Sequence, residues 1–397
     1  MKLFHNLVEA VVHSLMDIFD QNYYADKVIE RTLKSNAKWG SRDRAFIAEV
    51  TYDIVRNYRY LYEKYGQSPS TIYDWWQITG LYLYAKHNEL PAWKEFDIDK
   101  TQTAYYNNKN LVDNPAIKYS VPDWLYDRIN IELAPKTARY LEALHQQAPL
   151  YIRVNTLKGN VNLLSNLLTQ KGIVNRIVEN NCIEIIKRIN LFSDPLFQQG
   201  RFEIQDIASQ RVATYCNPSA DMLVIDACAG GGGKTLHLAA LMKNKGKIIA
   251  LDTEAHKLKE LEKRAVRAGI QTIETRAIEN NKTIKRLENR ADLLLLDVPC
   301  SGTGVIKRNP DAKWKLSAEF IDRIINVQRD ILLHYTEMVR PGGMIVYSTC
   351  SILKSENEDQ IKWLIELMPD MFNLLSEDRY FPWEGGDGFY MAKLQKK

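Results

Sequence analysis

The sequence lacks any apolar segment long enough to span a membrane. Its longest run of leucine, isoleucine and valine alone covers only Leu293 to Leu296, whereas a membrane helix needs about 20 apolar residues. The first residues, MKLFHNLVEA, contain neither the apolar core nor the small-residue cleavage site of a signal peptide. We therefore expect a cytoplasmic protein without membrane contact.

Cysteine is scarce, and its spacing argues against two of its common uses. The chain of 397 residues contains five cysteines. An odd number of cysteines in a long chain without a signal peptide argues against a disulfide framework. No two cysteines, and no cysteine and histidine, have the spacing of zinc ligands, so we predict no metal site.

The chain also lacks a strong excess of charge of one sign. Its net charge is +4, from 53 basic and 49 acidic residues. Residues 151–218 carry 8 basic and 5 acidic side chains, whereas residues 1–150 carry 18 and 19. A basic segment is typical of a surface that contacts RNA, but an ordinary solvated surface has the same pattern. Charge alone leaves both interpretations open.

The first 140 residues have the pattern of a helical domain. Apolar residues three or four apart predict one helix, with Ser41 as its N-cap and Gly66 as its end. The apolar face of this helix comprises Phe46, Val50, Ile54, Tyr58 and Leu61. Residues 1–140 contain no catalytic constellation, and we expect the rest of the chain to fold without them.

The pattern of the sequence changes at Leu150. The segments LYIRVNTLK, NLLSNLLTQKG and CIEIIKRI predict a strand, a helix and a strand. We interpret residues 141–218 as a small α/β module.

Residues 219–397 alternate short apolar runs with helical stretches. This alternation predicts a doubly wound, mostly parallel sheet with helices on both faces. Ligands of such sheets bind at the carboxyl ends of the strands, and the motifs that carry chemistry in this chain fall at those ends.

A glycine-rich turn follows the first strand of this sheet. The segment DACAGGGGKT runs from Asp226 to Thr235, between a predicted strand and a predicted helix. Its glycines allow the backbone to approach a ligand closely. The spacing from the first glycine to the lysine differs from that of a Walker A loop. The turn favours a nucleotide-like ligand, with a merely tight turn as the alternative.

Asp252 ends the next predicted strand, about 20 residues after the glycine-rich turn. An acid at this position can accept hydrogen bonds from ribose hydroxyls. The alternative is a helix cap or a solvated strand end. The spacing favours an adenosine-containing ligand.

Two cysteines follow consecutive strands of the predicted sheet. Asp297 ends the strand LLLLD and precedes the dipeptide Pro299-Cys300, and Cys350 ends the later segment GGMIVYSTC. An acid at the strand end can hydrogen-bond a flipped pyrimidine base. A single buried cysteine is most often a small apolar residue, but two at adjacent strand ends favour a reactive pair. We interpret Cys228, inside the glycine-rich turn, as structural or as a backbone contact.

These motifs together resemble a known family, the Sun or RsmB-like RNA 5-methylcytosine methyltransferases. The resemblance covers at least residues 120–397, and the phrase DRAFIAEVTYDIVRNY more loosely resembles the NusB-like domain of the ribosomal RNA branch. The matching segments, in order, are PDWL, RVNTLK, EIQDIASQ, CAGGGGKT, DVPCSGTGV, KRNPDAKW, RPGG, YSTCSI and ENE.

The resemblance implies a fold, a reaction and a site. The fold is a Rossmann-like methyltransferase sheet, preceded by a small α/β RNA-binding module and an all-α NusB-like domain. Cys350 is the nucleophile, Cys300 assists product release and Asp297 orients the cytosine. The implied cofactor is S-adenosylmethionine. It contacts Cys228, Ala229, Gly230, Gly231, Gly232, Gly233, Lys234, Asp252 and Asp297.

The implied partner is RNA. We expect 16S ribosomal RNA as the substrate, bound in a single-stranded or looped form, and we expect the protein to act as a monomer. The base must leave its stack to reach a thiol, which favours unpaired RNA.

The sequence departs from the family pattern in two regions. The family commonly has alanine and proline where this chain has Gly230 and Gly231, which makes the turn more flexible. The family also has an acidic residue after the third strand, where this chain has Ala277 or Ile278. A backbone contact, Glu279 or Asn280 is the candidate replacement in adenine recognition.

Three alternative functions remain open from the sequence. A transfer RNA is an alternative substrate for the same chemistry. A DNA cytosine methyltransferase would use Cys300 as the nucleophile and would lack the second cysteine. A non-catalytic RNA-binding assembly factor is the third alternative, although both cysteines and Asp297 are present.

Overall fold

A computed structural model describes residues 3–106, 111–187 and 189–397. The chain forms two compact units. The helical unit comprises Met1–Gln146 and Ile306–Ala318, and the sheet unit comprises Gln147–Val305 and Glu319–Lys397.

Among its described residues, the regular elements in the first part of the helical unit are α-helices, apart from one 3-10 turn, Leu111–Asp113. Its core is rich in aromatic side chains, and Phe19 stacks on Tyr58 with ring centroids 4.0 Å apart. The helices are α1 His5–Phe19, α2 Ala25–Ser35, α3 Ser41–Arg56, α4 Tyr58–Tyr65, α5 Ile72–His87, α6 Ile98–Tyr106, α7 Pro115–Lys118, α8 Asp123–Leu133 and α9 Thr137–Leu144.

The prediction of one helix from Ser41 to Gly66 is wrong in two details. The helix breaks at Asn57, which caps α3 with non-helical backbone angles before α4 begins. Ser41 is the first helical residue, and Gly40 is the N-cap. The predicted end is confirmed, because Gly66 has a φ of 100°, in the left-handed region that glycine tolerates.

The small sheet opens the sheet unit. Its strand order is β2-β3-β1-β4, and all its pairs are antiparallel. The predicted strand–helix–strand order is found as β1, α10 and β3, but the sequence analysis missed the exposed edge strand β2 and the short strand β4. The elements are β1 Leu150–Val154, α10 Val161–Gln170, β2 Asn175–Glu179, β3 Cys182–Ile185, α11 Pro195–Gln198 and β4 Phe202–Ile204.

The large sheet forms the rest of the sheet unit and confirms the predicted doubly wound, mostly parallel architecture. The remaining elements are α12 Ile207–Cys216, β5 Leu223–Asp226, α13 Gly233–Leu241, β6 Lys247–Asp252, α14 Ala255–Ala268, β7 Ile273–Ala277, α15 Asn281–Lys285, β8 Ala291–Asp297, α16 Ala312–Lys315, α17 Ala318–Tyr335, β9 Val339–Thr349, α18 Glu358–Leu367, β10 Phe372–Tyr380 and β11 Phe389–Lys396.

The strand order of the large sheet is β10-β11-β9-β8-β5-β6-β7. Strands β9, β8, β5, β6 and β7 are parallel, and β11 and β10 add an antiparallel edge. Leu293 to Leu296 in β8 are all buried, as expected for a parallel strand covered on both faces. The carboxyl ends of β5, β6, β8 and β9 therefore meet along one edge.

One segment of the helical unit comes from late in the sequence. Residues 306–318 pack with the helices: Lys313 donates to the Arg56 carbonyl at 2.7 Å, and the Trp314 indole donates to the Val55 carbonyl at 2.8 Å. The division into domains 1–140, 141–218 and 219–397 stays a prediction. The compact units differ from it because this segment belongs with the helices.

Two classes of feature are absent from the part of the chain that the structure describes. Over residues 3–106, 111–187 and 189–397, no helix combines the length and the apolarity that crossing a membrane requires. The same residues contain no group of three or more histidine, cysteine or acidic side chains arranged to hold a metal ion.

Candidate active site

The predicted site residues of the large sheet meet at its carboxyl edge. The glycine-rich turn follows β5, Asp252 ends β6, Asp297 ends β8 and Cys350 comes directly after β9. Because β6, β5, β8 and β9 are neighbouring parallel strands, their carboxyl ends lie side by side. The register pairs Asp297 with Ser348, which brings the two cysteine-bearing loops together.

The glycine-rich turn is a compact structure in which one glycine is sterically required. Gly232 has a φ of 85°, and a Cβ on it would lie 2.4 Å from the Leu261 Cγ. Gly230 also has a positive φ, 52°, and its N–H donates to the Asp252 Oδ2 at 2.8 Å. The close packing against α14 therefore accounts for Gly232 without reference to any ligand.

Two guanidinium groups hold carbonyl oxygens of this turn. Arg153, on β1 of the small sheet, donates to the Gly233 carbonyl at 2.6 Å. Arg264, on α14, donates to the Gly231 carbonyl and also to the Glu203 carboxylate at 2.9 Å. The turn that sequence analysis predicted to be flexible is thus fixed from two other elements.

Cys300 and Cys350 are in contact. Their Sγ atoms lie 3.3 Å apart, within hydrogen-bond range for sulfur, and both side chains are half-buried. The Gly304 N–H donates to the Cys350 carbonyl at 2.8 Å and ties the two loops together. The two thiols are therefore positioned to act on one substrate atom or on adjacent ones.

Asp297 is held between a lysine and a serine. The Lys234 Nζ lies 2.6 Å from its Oδ2, and the Ser348 hydroxyl donates to its Oδ1 at 2.8 Å. Only 12% of the Lys234 side chain and 26% of the Asp297 side chain are exposed. Such a partly buried ion pair orients the carboxylate at the end of β8.

The environment of Cys300 disfavours its thiolate. The hydrogen bond between Cys300 and Cys350 raises the pKa of Cys300 well above the ordinary value, and burial and the charges of Cys350 and Glu356 add to the increase. Burial opposes the charge of Lys234, but the Asp297 carboxylate and the nearby Cys350 raise the pKa of Lys234 above its ordinary value. Lys234 therefore remains a cation beside Cys350.

Two acids at the ends of β5 and β6 differ in their environment. Asp252 is half-buried and accepts N–H groups of Gly230 and Glu254, both at 2.8 Å. Burial raises the pKa of Asp226 to about 7. The Asp226 Oδ2 accepts from Thr235, whereas its buried Oδ1 has no hydrogen-bond partner among the described residues.

The region expected to contact adenine contains no acid at the expected position. Ala277 ends β7, and the Ile278 N–H donates to the Asp252 carbonyl at 2.9 Å. The Asn280 side chain caps α15 by accepting from the Lys282 N–H. Glu279 is exposed, so of the two proposed side chains only Glu279 is not engaged in capping the helix.

Sequence analysis missed several residues that shape the site. Arg153 and Glu356 lie in the quoted segments RVNTLK and ENE, but no role followed from those segments. Arg264 and Glu203 form an ion pair that the sequence analysis did not predict. The partners of these side chains are distant in the sequence, so no local pattern identifies them.

Two family models match the chain. Residues 213–395 match the model described as 16S rRNA methyltransferase RsmB/F. Residues 121–190 match the ferredoxin-like domain of RsmF/B-like methyltransferases.

Curated relatives carry the name ribosomal RNA small subunit methyltransferase B. The protein of Vibrio cholerae is 33% identical over 71% of this chain and 67% of its own length. That of Pasteurella multocida is 34% identical over 69% of this chain and 65% of its own length. A protein of Bacillus subtilis, named as probable, is 27% identical over 98% of both chains.

Solved structures are similar over the same regions. The structure of PH0851 is 26% identical, covers 100% of both chains and has a TM-score of 0.86. A methyltransferase homologue from Pyrococcus horikoshii is 27% identical, with a TM-score of 0.64 over 73% of this chain and 100% of its own.

Proposed function

Because this chain belongs to the RsmB/F family of 16S rRNA methyltransferases, we propose that it methylates C5 of a cytosine in small-subunit ribosomal RNA. The methyl donor is S-adenosylmethionine, and the reaction passes through a covalent bond between Cys350 and C6 of the base. The observation that carries the proposal is the contact of Cys300 and Cys350, with Sγ atoms 3.3 Å apart, at adjacent strand ends.

The chemistry requires a thiolate because C5 of cytosine is a weak nucleophile. Addition of the Cys350 sulfur to C6 breaks the aromaticity and turns C5 into an enamine-like carbon that takes the methyl group. A base then removes the proton from C5. The C6–S bond breaks, and its electron pair regenerates the Cys350 thiolate. Cys300, in contact with Cys350, assists this release.

Asp297 orients the target base in the proposed reaction. Its carboxylate can hydrogen-bond the exocyclic amine and ring nitrogen of cytosine. The contacts with Lys234 and Ser348 hold it in one orientation. The Lys234 cation also lies near Cys350, where positive charge favours the thiolate.

The residues at the ends of β5 and β6 fit S-adenosylmethionine. The buried Asp226 Oδ1, without a partner among the described residues, offers an acceptor for an ammonium group. Each Asp252 oxygen accepts one N–H and keeps a lone pair for a ribose hydroxyl. When bound, the cofactor supplies an electrophilic methyl group on a positively charged sulfur.

We propose that the predicted cofactor residues line this site in different ways. Residues 228–233 contribute mainly backbone atoms, and Lys234 and Asp297 contribute side chains next to the reacting methyl group. Glu279, exposed beyond the end of β7, is the proposed side-chain contact for adenine.

The substrate RNA is proposed to bind in a single-stranded or looped form. The target base has to leave its stack before a side chain can reach C6. We assign RNA binding to the basic module of residues 151–218 and to the NusB-like helices, and we propose that the protein acts in the cytoplasm as a monomer.

The test uses isotopically labelled methyl donor and two RNA substrates. Wild-type protein should label unmodified small-subunit ribosomal RNA in preference to transfer RNA. Cys350→Ala should transfer no methyl group and form no adduct, because the nucleophile is gone. Cys300→Ala should trap a protein–RNA complex that survives denaturing electrophoresis, because attack remains possible and release is hindered.

Cys182→Ala is the matched control, because Cys182 is a buried cysteine of the small sheet. It should behave like the wild type. An adduct with Cys350→Ala but not with Cys300→Ala would reverse the two roles. RNA binding by the wild type without any methyl transfer would instead support an assembly factor.

A further inference from the structure

Glu356 is a fully buried acid beneath the two cysteines. It ends a 3-10 turn, Lys354–Glu356, and its side chain is 0% exposed. The Ser301 N–H and the Gln328 amide donate to its Oε1 at 2.7 and 3.1 Å. Hydroxyls of Ser301 and Ser351 donate to its Oε2.

The hydrogen-bond partners of the Glu356 carboxylate belong to both cysteine-bearing loops. Ser301 directly follows Cys300, and Ser351 directly follows Cys350. One carboxylate therefore bridges the two cysteine-bearing loops, through the Ser301 N–H and hydroxyl on one and the Ser351 hydroxyl on the other. Gln328, on α17, also donates to the Pro299 carbonyl at 2.9 Å, so the same bridge reaches the residue that precedes Cys300.

A second set of polar contacts surrounds the bridge. The hydroxyls of Thr303 and Ser351 lie 2.9 Å apart, and the Ile352 N–H donates to the Thr303 hydroxyl at 3.0 Å. The Asn357 amide donates to the Ser351 carbonyl at 3.0 Å. These contacts also join the two loops, and the Glu356 carboxylate takes no part in them.

The role of Glu356 as a bridge does not by itself explain why the residue is charged. Burying a carboxylate is costly unless a cation or hydrogen bonds compensate. Glu356 accepts four hydrogen bonds, but among the described residues no lysine, arginine or histidine forms an ion pair with it, so its charge is not neutralised. A glutamine would make a similar set of contacts without the cost of a buried charge. The position nevertheless holds an acid.

The charge of the acid acts on one of the two thiols. The hydrogen bond with Cys350 and burial raise the pKa of Cys300, and the charge of Glu356 adds to this increase. Among the described residues, other titratable groups near the pair are Lys234 from α13, whose cation also pairs with Asp297 of β8, and Tyr347 from β9. Lys234, the cation of this set, interacts electrostatically with Cys350, which helps to raise the pKa of Lys234.

We propose that Glu356 is a positioning residue that holds the two thiols in contact and assigns their shared proton to Cys300. A hydrogen bond between two sulfur atoms requires one S–H group. With negative charge beside Cys300 and positive charge beside Cys350, the proton stays on Cys300 and the thiolate forms on Cys350. This inference rests on the proposed roles of the two cysteines.

The test compares Glu356→Gln with the wild type in the absence of RNA and cofactor. The glutamine oxygen can accept from Ser301 N–H and Gln328, and its amide can donate to the two serine oxygens, whose hydroxyls then turn toward Thr303. The variant thus keeps the bridge and removes the charge. Alkylation by iodoacetamide is followed at each cysteine by mass spectrometry between pH 6 and 10.

In the wild type, Cys350 should react at lower pH than Cys300. In Glu356→Gln, the rate at Cys300 near neutral pH should rise on the order of tenfold, which corresponds to about one pKa unit. Glu358→Gln is the matched control, because it removes a neighbouring acid that pairs with Arg379. It should leave both profiles unchanged.

Two results would overturn the inference. The first is a wild-type profile in which Cys300 reacts at lower pH than Cys350. This result is measured on the wild-type protein alone and does not depend on the folding of a variant. The second is a Glu356→Gln profile identical to that of the wild type. Neither depends on methyl transfer, so a failure here is distinct from a failure of the adduct experiment.

Discussion

Asp252 contacts the glycine-rich turn and the start of α14 through different oxygens of one carboxylate. Its Oδ2 accepts the Gly230 N–H and its Oδ1 accepts the Glu254 N–H. At the scale of the single residue, these contacts orient the carboxylate before any ligand binds. Little of the side chain's freedom is then lost when ribose hydroxyls donate to it.

Asp252→Ala should weaken binding of S-adenosylmethionine by roughly tenfold to a hundredfold. The reason is the loss of charge-assisted hydrogen bonds to ribose, worth about 1.5–3 kcal/mol. Isothermal titration calorimetry measures the change. Glu260→Ala, an equal change of charge at an exposed position of α14, should leave the affinity unaltered. Unchanged affinity of Asp252→Ala would remove this residue from the cofactor site.

At the scale of elements, the glycine-rich turn depends on two neighbours that are remote in sequence. Arg153 reaches it from β1 and Arg264 from α14, and each binds a carbonyl oxygen. Glu203 on β4 pairs with Arg264 and Arg267. The small sheet is thereby connected to the turn that is proposed to hold the cofactor.

Arg264→Ala should weaken cofactor binding although Arg264 is not proposed to touch the cofactor. Loss of its bond to the Gly231 carbonyl frees a turn with four consecutive glycines, at a cost of about 1 kcal/mol or roughly fivefold in affinity. The KM for S-adenosylmethionine should rise while kcat stays close to that of the wild type. Lys263→Ala, on the exposed side of α14, is the control. Equal KM values for the two variants would contradict the proposal that Arg264 holds the glycine-rich turn in place.

At the scale of elements, the helical unit also contains a feature that the local sequence pattern does not predict, the helix break at Asn57. The apolar spacing from Phe46 to Leu61 continues through Asn57, so it predicts one helix. The structure instead breaks the helix there, and Tyr58 packs against Phe19 and Trp314. Tertiary packing of the aromatic ring overrides the continuous helical pattern.

At the scale of the whole molecule, the two compact units share the chain in an interleaved order. The segment 306–318 leaves the sheet unit shortly after Cys300 and packs with the helices of residues 1–146. Trp314 lies against Phe19 and Tyr58, with ring centroids 6.5 and 5.4 Å apart. The expectation that the rest of the chain folds independently of residues 1–140 stays a prediction, and this packing shows where a truncated chain would lose contacts.

Removal of residues 1–146 should leave the segment 306–318 without its packing partners. We expect limited proteolysis to cut the truncated protein within this segment, whereas the full-length protein resists. Full-length Trp314→Ala, which removes the indole alone, should show an intermediate rate of cleavage. A truncated protein that resists cleavage and methylates RNA with unchanged kcat/KM would show that the segment is stable without the helical unit.

The sequence by itself determined the features that depend on local pattern. Alternating apolar and helical stretches predicted the large parallel sheet, because each strand has to be buried on both faces. The motifs around Asp252, Asp297, Cys300 and Cys350 lie directly at predicted strand ends. In a parallel sheet those ends meet at one edge, so the sequence was enough to predict that these side chains would converge.

Only the tertiary structure decided which distant side chains support that site. The contact of Glu356 with Ser301, of Arg153 with Gly233 and of Lys313 with Arg56 joins residues from separate elements. The interleaving of the units and the edge strand β2 likewise depend on long-range packing. Local periodicity carries information about neighbours along a helix or strand, whereas these contacts depend on how whole elements pack in three dimensions.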